Sequence, residues 1–306
     1  MTLIISKLLP VILIILIGVL LQRTKEVSME VMKGIKFIII NIALPCILFF
    51  AFVNTKLESR YGLLFTIIFL FCCVLYCVGM LLSKKLIYQF TPSFFSGFEF
   101  GMVGIALFTA IWGVEKLVIF TLIGLGHEFF IWFVYVPALE YKNRKTVDFY
   151  KTFKSFFTSP IIIAIIMGII INVFNLFSVI ENTLLGGSIF NVLETLSYIT
   201  VPLILIVIGY SLTFKQMHWK QSFHYISLRL IITILLGTGV YYLIQAVTGH
   251  IDDVFSKAFY IFILLPPPYI MPLFIENNEE EIQFFTNTIV LYTLISFMAF
   301  IVIVVI

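Results

Sequence analysis

The sequence predicts an all-α integral membrane protein of about ten transmembrane helices. They form two inverted five-helix repeats in which helices 4 and 9 are broken and cross. Of 306 residues, 61% are hydrophobic and 11% charged, with mean hydropathy +1.14, a balance that soluble domains do not reach. Apolar runs long enough for a bilayer core, ~20 residues each, follow one another along the whole chain. Proline and glycine recur at matching places in its two halves.

The predicted helices run Leu3–Leu21, Gly34–Val53, Tyr61–Leu82, Phe94–Gly113 and Leu117–Leu139, then Pro160–Phe177, Phe190–Leu212, Tyr225–Val247, Val254–Ile275 and Thr286–Ile306. The first run has no small-residue cleavage site behind it, so it reads as helix 1 and not as a signal peptide. Residues 1–140 make the first repeat, 141–159 a polar cytoplasmic linker, and 160–306 the second repeat.

Lysine and arginine gather after the odd-numbered helices: Arg23, Lys25 and Lys33, Lys84 and Lys85, Lys142, Arg144, Lys145, Lys151 and Lys154, then Lys215 and Lys220. After the even ones stand only Lys56, Arg60 and Lys116. The positive-inside rule then makes the odd loops cytoplasmic and leaves both termini outside. These short basic loops set orientation and form no nucleic-acid surface. Cys46, Cys72, Cys73 and Cys77 all lie in apolar segments without zinc-ligand spacing, and are expected as buried free thiols.

The repeat rests on two ordered matches. Pro10 and Gly18 of helix 1 correspond to Pro160 and Gly168 of helix 6, with the same spacing. Ile42-Ala43-Leu44-Pro45-Cys46-Ile47-Leu48 of helix 2 corresponds to Ile199-Thr200-Val201-Pro202-Leu203-Ile204-Leu205 of helix 7. Five helices per copy is an odd number, so the second copy is inverted in the membrane.

Helix 9 contains Pro266-Pro267-Pro268 and Pro272. Proline lacks an N–H and clashes with the preceding turn, so this run breaks a helix. In hydrocarbon such a break survives only where protein or a watery cavity covers it; a loop between two short helices is the plainer alternative. Helix 4, its counterpart, carries Gly97, Gly101 and Gly104. Glycine lets the backbone leave helical angles, although Gly101 and Gly104 also suit a small-residue packing face. Broken helices would turn the N-termini of their second halves toward the crossing. Unpaired N–H groups and about half a positive charge there could hold a carboxylate without any arginine. Arg229 is expected near the cytoplasmic end of helix 8, snorkelling.

At these residues the sequence resembles the auxin efflux carrier family of membrane transport proteins, which spans plant auxin carriers and bacterial organic-acid permeases. Asn41-Ile42-Ala43-Leu44-Pro45 is similar to the family's Leu-Pro segment, and Pro202-Leu203 with Gly209-Tyr210-Ser211-Leu212 to its Pro-Leu…Gly-x-Ser-Leu ending. Gly104-Ile105-Ala106-Leu107 resembles Gly-x-Pro-Leu with Ala106 in place of proline, and Glu99 stands where asparagine is common. Pro267 and Pro272 match the helix 9 proline pair, and Asn287-Thr288 the Ser-Thr of helix 10.

The resemblance implies a fold of the bile-acid-symporter and sodium–proton-antiporter kind. Helices 1, 2, 6 and 7 would form a dimeric scaffold, and helices 3–5 and 8–10 the moving transport domain. It implies a secondary transporter for a small organic anion, such as malate, and the Phe/Ile/Lys-rich composition is compatible with a bacterial plasma membrane. Glu99 and Ala106 depart from the usual anion chemistry of helix 4.

The substrate-site candidates are Asn41, Glu99, Gly101, Gly104, Pro267, Pro268, Pro272 and Asn287. Glu99 is either a proton carrier, a group favouring a coupling cation, or a glutamate facing a cytoplasmic cavity. His127 and Glu128 on helix 5 form either a proton relay or ion site, or an interhelical hydrogen bond; a single His-Glu pair is not a zinc-peptidase motif. The coupling ion would be a proton or sodium. No catalytic set, phosphate loop or metal cluster emerges, so no enzyme and no cofactor are expected. A sodium–proton antiporter without organic substrate, and a membrane sensor on a carrier scaffold, are the alternatives.

Overall fold

Among the described residues of the computed structural model every element is helical. It describes residues 2–24, 26–53, 60–144, 148–212, 218–249, 251–275 and 278–305; Lys25, Lys56, Lys145 and Lys215 of the charge pattern, and 145–147 of the predicted linker, lie outside these. In chain order the α-helices are α1 (Thr2–Gln22), α2 (Met29–Ile38), α3 (Leu44–Val53), α4 (Arg60–Leu82), α5 (Thr91–Phe95), α6 (Ile105–Trp112), α7 (Val114–Phe130) and α8 (Val136–Arg144). There follow α9 (Phe149–Phe157), α10 (Pro160–Val173), α11 (Phe177–Glu181), α12 (Leu184–Tyr198), α13 (Thr200–Ser211), α14 (Trp219–Thr248), α15 (Asp253–Ile263) and α16 (Glu279–Val305). Wide π-helical turns at Ile39–Ala43, Phe100–Gly104 and Ile131–Tyr135 run α2 into α3, lead into α6, and join α7 to α8.

Among the described residues, seven continuous helical stretches are long and apolar enough to cross a membrane, and Leu8–Gln22 and Pro160–Val173 are shorter apolar helices. Large apolar side chains such as Leu13, Leu16, Leu70, Ile231, Leu235 and Met298 stand exposed on them. Hydrocarbon accepts such a surface and water does not.

Several boundaries move from their expected places. Helix 7 begins at Leu184, where Thr183 caps it by accepting the Gly186 N–H, and bends at Ile199 ahead of Pro202. Helix 8 begins at Trp219, so Arg229 lies about 15 Å into it at 1.5 Å per residue. The expected linker contains α9. Cys46 and Cys72 are buried as expected, but Cys73 is partly open and Cys77 exposed.

The chain divides into two compact units. Met1–Glu58, Gly101–Thr121 and Lys154–Leu212 form the first. Its helices meet through residues without side-chain bulk. A Cβ added to Gly18 of α1 would strike Ile206 O and stand 2.9 Å from Gly209 Cα and Tyr210 N of α13. A Cβ on Gly168 of α10 would stand 2.8 Å from Phe49 O, 3.0 Å from Phe52 Cβ and 3.5 Å from Val53 N of α3. One turn further on, each pair is tied by a carboxamide. Gln22 Nε2 donates to Tyr210 O at 2.6 Å. Asn172 Nδ2 donates to Val53 O at 2.6 Å and Phe52 O at 2.9 Å. Both satisfy carbonyls in the last turn of the partner helix, which the helix itself leaves unpaired. Thr200 Oγ1 donates to Ala43 O at 2.9 Å, joining the stretches that lead into Pro202 and Pro45. Phe49, Val53, Ile171 and Phe190 form a core beside this frame.

Ser59–Phe100, Leu122–Phe153 and Thr213–Ile306 form the second unit. Its aromatic centre gathers Tyr88, Phe94, Tyr225, Phe284 and Phe285, with ring centroids 4.2 Å apart for Tyr88 and Phe284. Glu281, buried at the start of α16, accepts the Phe90 N–H at 3.0 Å and the Asn278 amide at 3.1 Å. It thereby anchors the entry to α5, where an acidic group suits unpaired N–H donors.

Candidate functional site

Two interrupted segments lie side by side in the second unit. After α5 the backbone leaves helical geometry at Ser96, turns through Gly97 with φ +67°, and re-enters a helical turn at Phe100. After α15 it runs without helix through the three prolines to a single 3-10 turn, Met271–Phe274. The strands of chain touch directly: the Glu99 N–H donates to Pro266 O at 2.8 Å. Proline has only its carbonyl to offer here, and Pro266 O accepts from the Glu99 N–H.

Several of the groups freed by the two breaks find local partners. The Phe98 N–H donates to His127 Nε2 at 2.8 Å. The Phe100 N–H donates to Phe98 O at 2.8 Å. The Tyr269 N–H donates to the Glu99 carboxylate, Oε2, at 2.6 Å. From α16, Ser296 Oγ donates to Leu264 O at 2.6 Å, and Thr293 Oγ1 meets the Tyr269 hydroxyl at 3.0 Å. The guanidinium of Arg229 donates to Phe94 O, to Gly97 O at 2.7 Å and to Leu265 O at 3.4 Å.

Gly97 is where the turn demands glycine. A Cβ there would stand 3.0 Å from Pro268 Cγ and 3.2 Å from Ile131 Cδ1 and Tyr135 Cε2. Left-handed backbone costs a side-chain-bearing residue roughly 1–2 kcal/mol, before those contacts are counted. Gly97→Ala is therefore expected to lower thermal stability by several degrees and to loosen the crossing, read as faster hydrogen exchange at Phe98 and Tyr269. Unchanged exchange would remove the need for glycine.

The sequence candidates fall into place unevenly. Glu99 and Pro268 lie where the two interrupted segments touch, Pro267 in the run between Pro266 and Pro268, and Pro272 in the 3-10 turn that follows. Gly101 and Gly104 lie in the π-helical turn Phe100–Gly104 with right-handed backbone, so of the three glycines only Gly97 departs from helical angles. Asn41 belongs to the first unit, and its amide donates to Phe37 O of its own helix at 2.9 Å. Asn287 is buried on α16 beside Thr288, which meets Ser222 at 2.7 Å; Thr293 and Ser296, further along, bond to the crossing. His127 is a backbone cap: with Nε2 accepting, its proton sits on Nδ1. That atom lies 3.9 Å from Glu128 Oε1, and Glu128 itself bonds to Trp132.

Two expectations fail. The second half of helix 9 is one 3-10 turn, too short to carry a helix dipole. Arg229 does not snorkel; it is fully buried among the crossing carbonyls. Its depth in an apolar helix is the signal, and a helix beginning at Tyr225 instead of Trp219 places it near the end.

Among the described residues no group of three or more His, Cys, Asp and Glu could hold a metal ion. No protein-family model matches the sequence, and no curated protein matches it.

Proposed function

We propose that this chain is a secondary carrier that moves a small organic anion, a carboxylate such as malate, across the plasma membrane with a proton. The observation that carries the reading is the paired interruption: two segments broken within apolar helical sequence, hydrogen-bonded to each other through Glu99 and Pro266. Irregular backbone at membrane depth is what carriers use to build a substrate site.

An internal repeat supports the same reading. Counted from Pro10 and Pro160, Gly18 corresponds to Gly168 and Gln22 to Asn172. Counted from Pro45 and Pro202, Phe49, Phe52 and Val53 correspond to Ile206, Gly209 and Tyr210. The glycine contacts and the carboxamide ties of α1 on α13 therefore recur, residue for residue, in α10 on α3. Ala43 and Thr200 are each other's counterparts, and a bond between counterparts belongs on the two-fold axis relating the copies. The division into two units suits a transport part that works against a scaffold. Dimerisation through the scaffold, and both termini outside, complete the proposal.

Coupling follows from Glu99. With the carrier empty, its carboxylate takes the Tyr269 N–H. A substrate carboxylate competes for that donor. Two carboxylates at one apolar site cannot both stay ionised, so Glu99 takes up a proton as substrate binds. The test is uptake of labelled malate into proteoliposomes. Accumulation driven by an acidic exterior is expected. No carboxylate uptake under any gradient would overturn the reading, and proton flux driven by sodium alone would install the antiporter instead.

A further inference from the structure

Arg229 is the largest fully buried side chain in the protein's described residues, and the mechanism above does not use it. It reaches from α14 to carbonyls of both interrupted segments: Phe94 O and Gly97 O on one, Leu265 O on the other. The rings of Phe94, Phe98 and Tyr292 stand 5.7, 5.1 and 5.4 Å from its Cζ, so aromatic faces share the charge.

Leu265 O lies just beyond the C-terminal end of α15, a helix of 11 residues, and Phe94 O and Gly97 O are backbone acceptors of the other segment. Helix C-termini carry partial negative charge. Away from water, that is the environment in which a carrier's backbone oxygens hold a coupling cation. Here the place is taken. Arginine keeps its charge at every physiological pH, and its planar fork reaches several oxygens at once.

We propose that Arg229 is a permanent internal cation filling a monovalent-cation site at the crossing, so that the native protein binds no sodium there. Removing the side chain would uncover the site. The claim deepens the carrier reading by fixing which ion that site leaves out; yet it is tested by stability and so stands or falls separately from uptake.

The experiment is thermal unfolding of purified wild type, Arg229→Ala and Arg229→Lys, with sodium or millimolar guanidinium against a bulky organic cation. The wild type is expected to melt at one temperature in all three. Arg229→Ala is expected to melt lower, with most of the loss restored saturably by guanidinium and part of it by sodium. Arg229→Lys, which keeps the charge but not the fork, is expected to ignore sodium. Saturable stabilisation of the wild type by sodium would overturn the proposal. So would an alanine variant indifferent to guanidinium. If alanine yields no folded protein, the lysine variant decides: sensitivity to sodium overturns, indifference supports. Cation rescue without carboxylate uptake would leave this site standing and remove the carrier reading; uptake without rescue would do the reverse.

Discussion

Exchanging Glu99 for alanine is expected to tighten malate binding about tenfold or more, since a charge-assisted hydrogen bond contributes about 1.5–3 kcal/mol and 1.4 kcal/mol is a factor of ten. The carboxylate that holds the Tyr269 N–H competes with the substrate in the intact protein. Removing it frees the donor and removes a repelling charge. The same exchange takes away the proton acceptor, so uptake should lose its response to pH while the protein stays folded through the Glu99 N–H to Pro266 bond, which alanine also makes. Glu99→Gln should give the second effect and little of the first, because its amide oxygen still accepts. Calorimetric titration with malate at two pH values reads both. An alanine variant that binds malate no better, or whose uptake keeps its acid dependence, would sink the exchange of carboxylates.

The second large effect belongs to the first unit. Gly209→Val would drive a branched side chain into Ile15 O and the backbone of Gly18, and Gly18→Val into Ile206 O. Backbone cannot yield as a flexible side chain can. Overpacking costs roughly 1–3 kcal/mol, and more where nothing can move aside, so both variants are expected at or beyond the upper end. Gly168→Val, with its nearest contact at 2.8 Å, should be milder. Gly34→Val and Gly239→Val, with nothing within 4 Å of a new Cβ, are the controls. Melting in detergent should rank the five in that order. Equal losses at all five would mean that helix propensity, not the close approach, sets the effect.

Backbone-breaking residues were the legible part of this chain. Pro10, Pro45, Pro160 and Pro202, and the run Pro266-Pro267-Pro268, announce their effects locally, because a missing N–H acts on its own helix. Gly18 and Gly168 were legible as a matched pair, though not what they touch. The partners of polar side chains were not legible. Glu99 finds Tyr269 across 170 residues, and Arg229 finds Phe94 across 135. Nothing periodic in the sequence marks such pairs. Gln22 and Asn172 look like ordinary polar residues at helix ends until their acceptors are seen. The π-helical turns carry no sequence signal of their own. The brevity of the last part of helix 9 was readable in principle, since only a few residues separate Tyr269 from the polar Glu276-Asn277-Asn278.

The buried guanidinium also bears on how the chain is made. Arg229 lies about a third of the way along the apolar helix α14, and an arginine at mid-membrane costs about 2.5–3.5 kcal/mol to insert. Two of its acceptors, Phe94 O and Gly97 O, belong to residues that precede it in the chain by 135 and 132 positions; the third, Leu265 O, follows it by 36. Acceptors on the earlier segment thus offset part of the insertion cost of the charge independently of the proline run, which adds its own carbonyl.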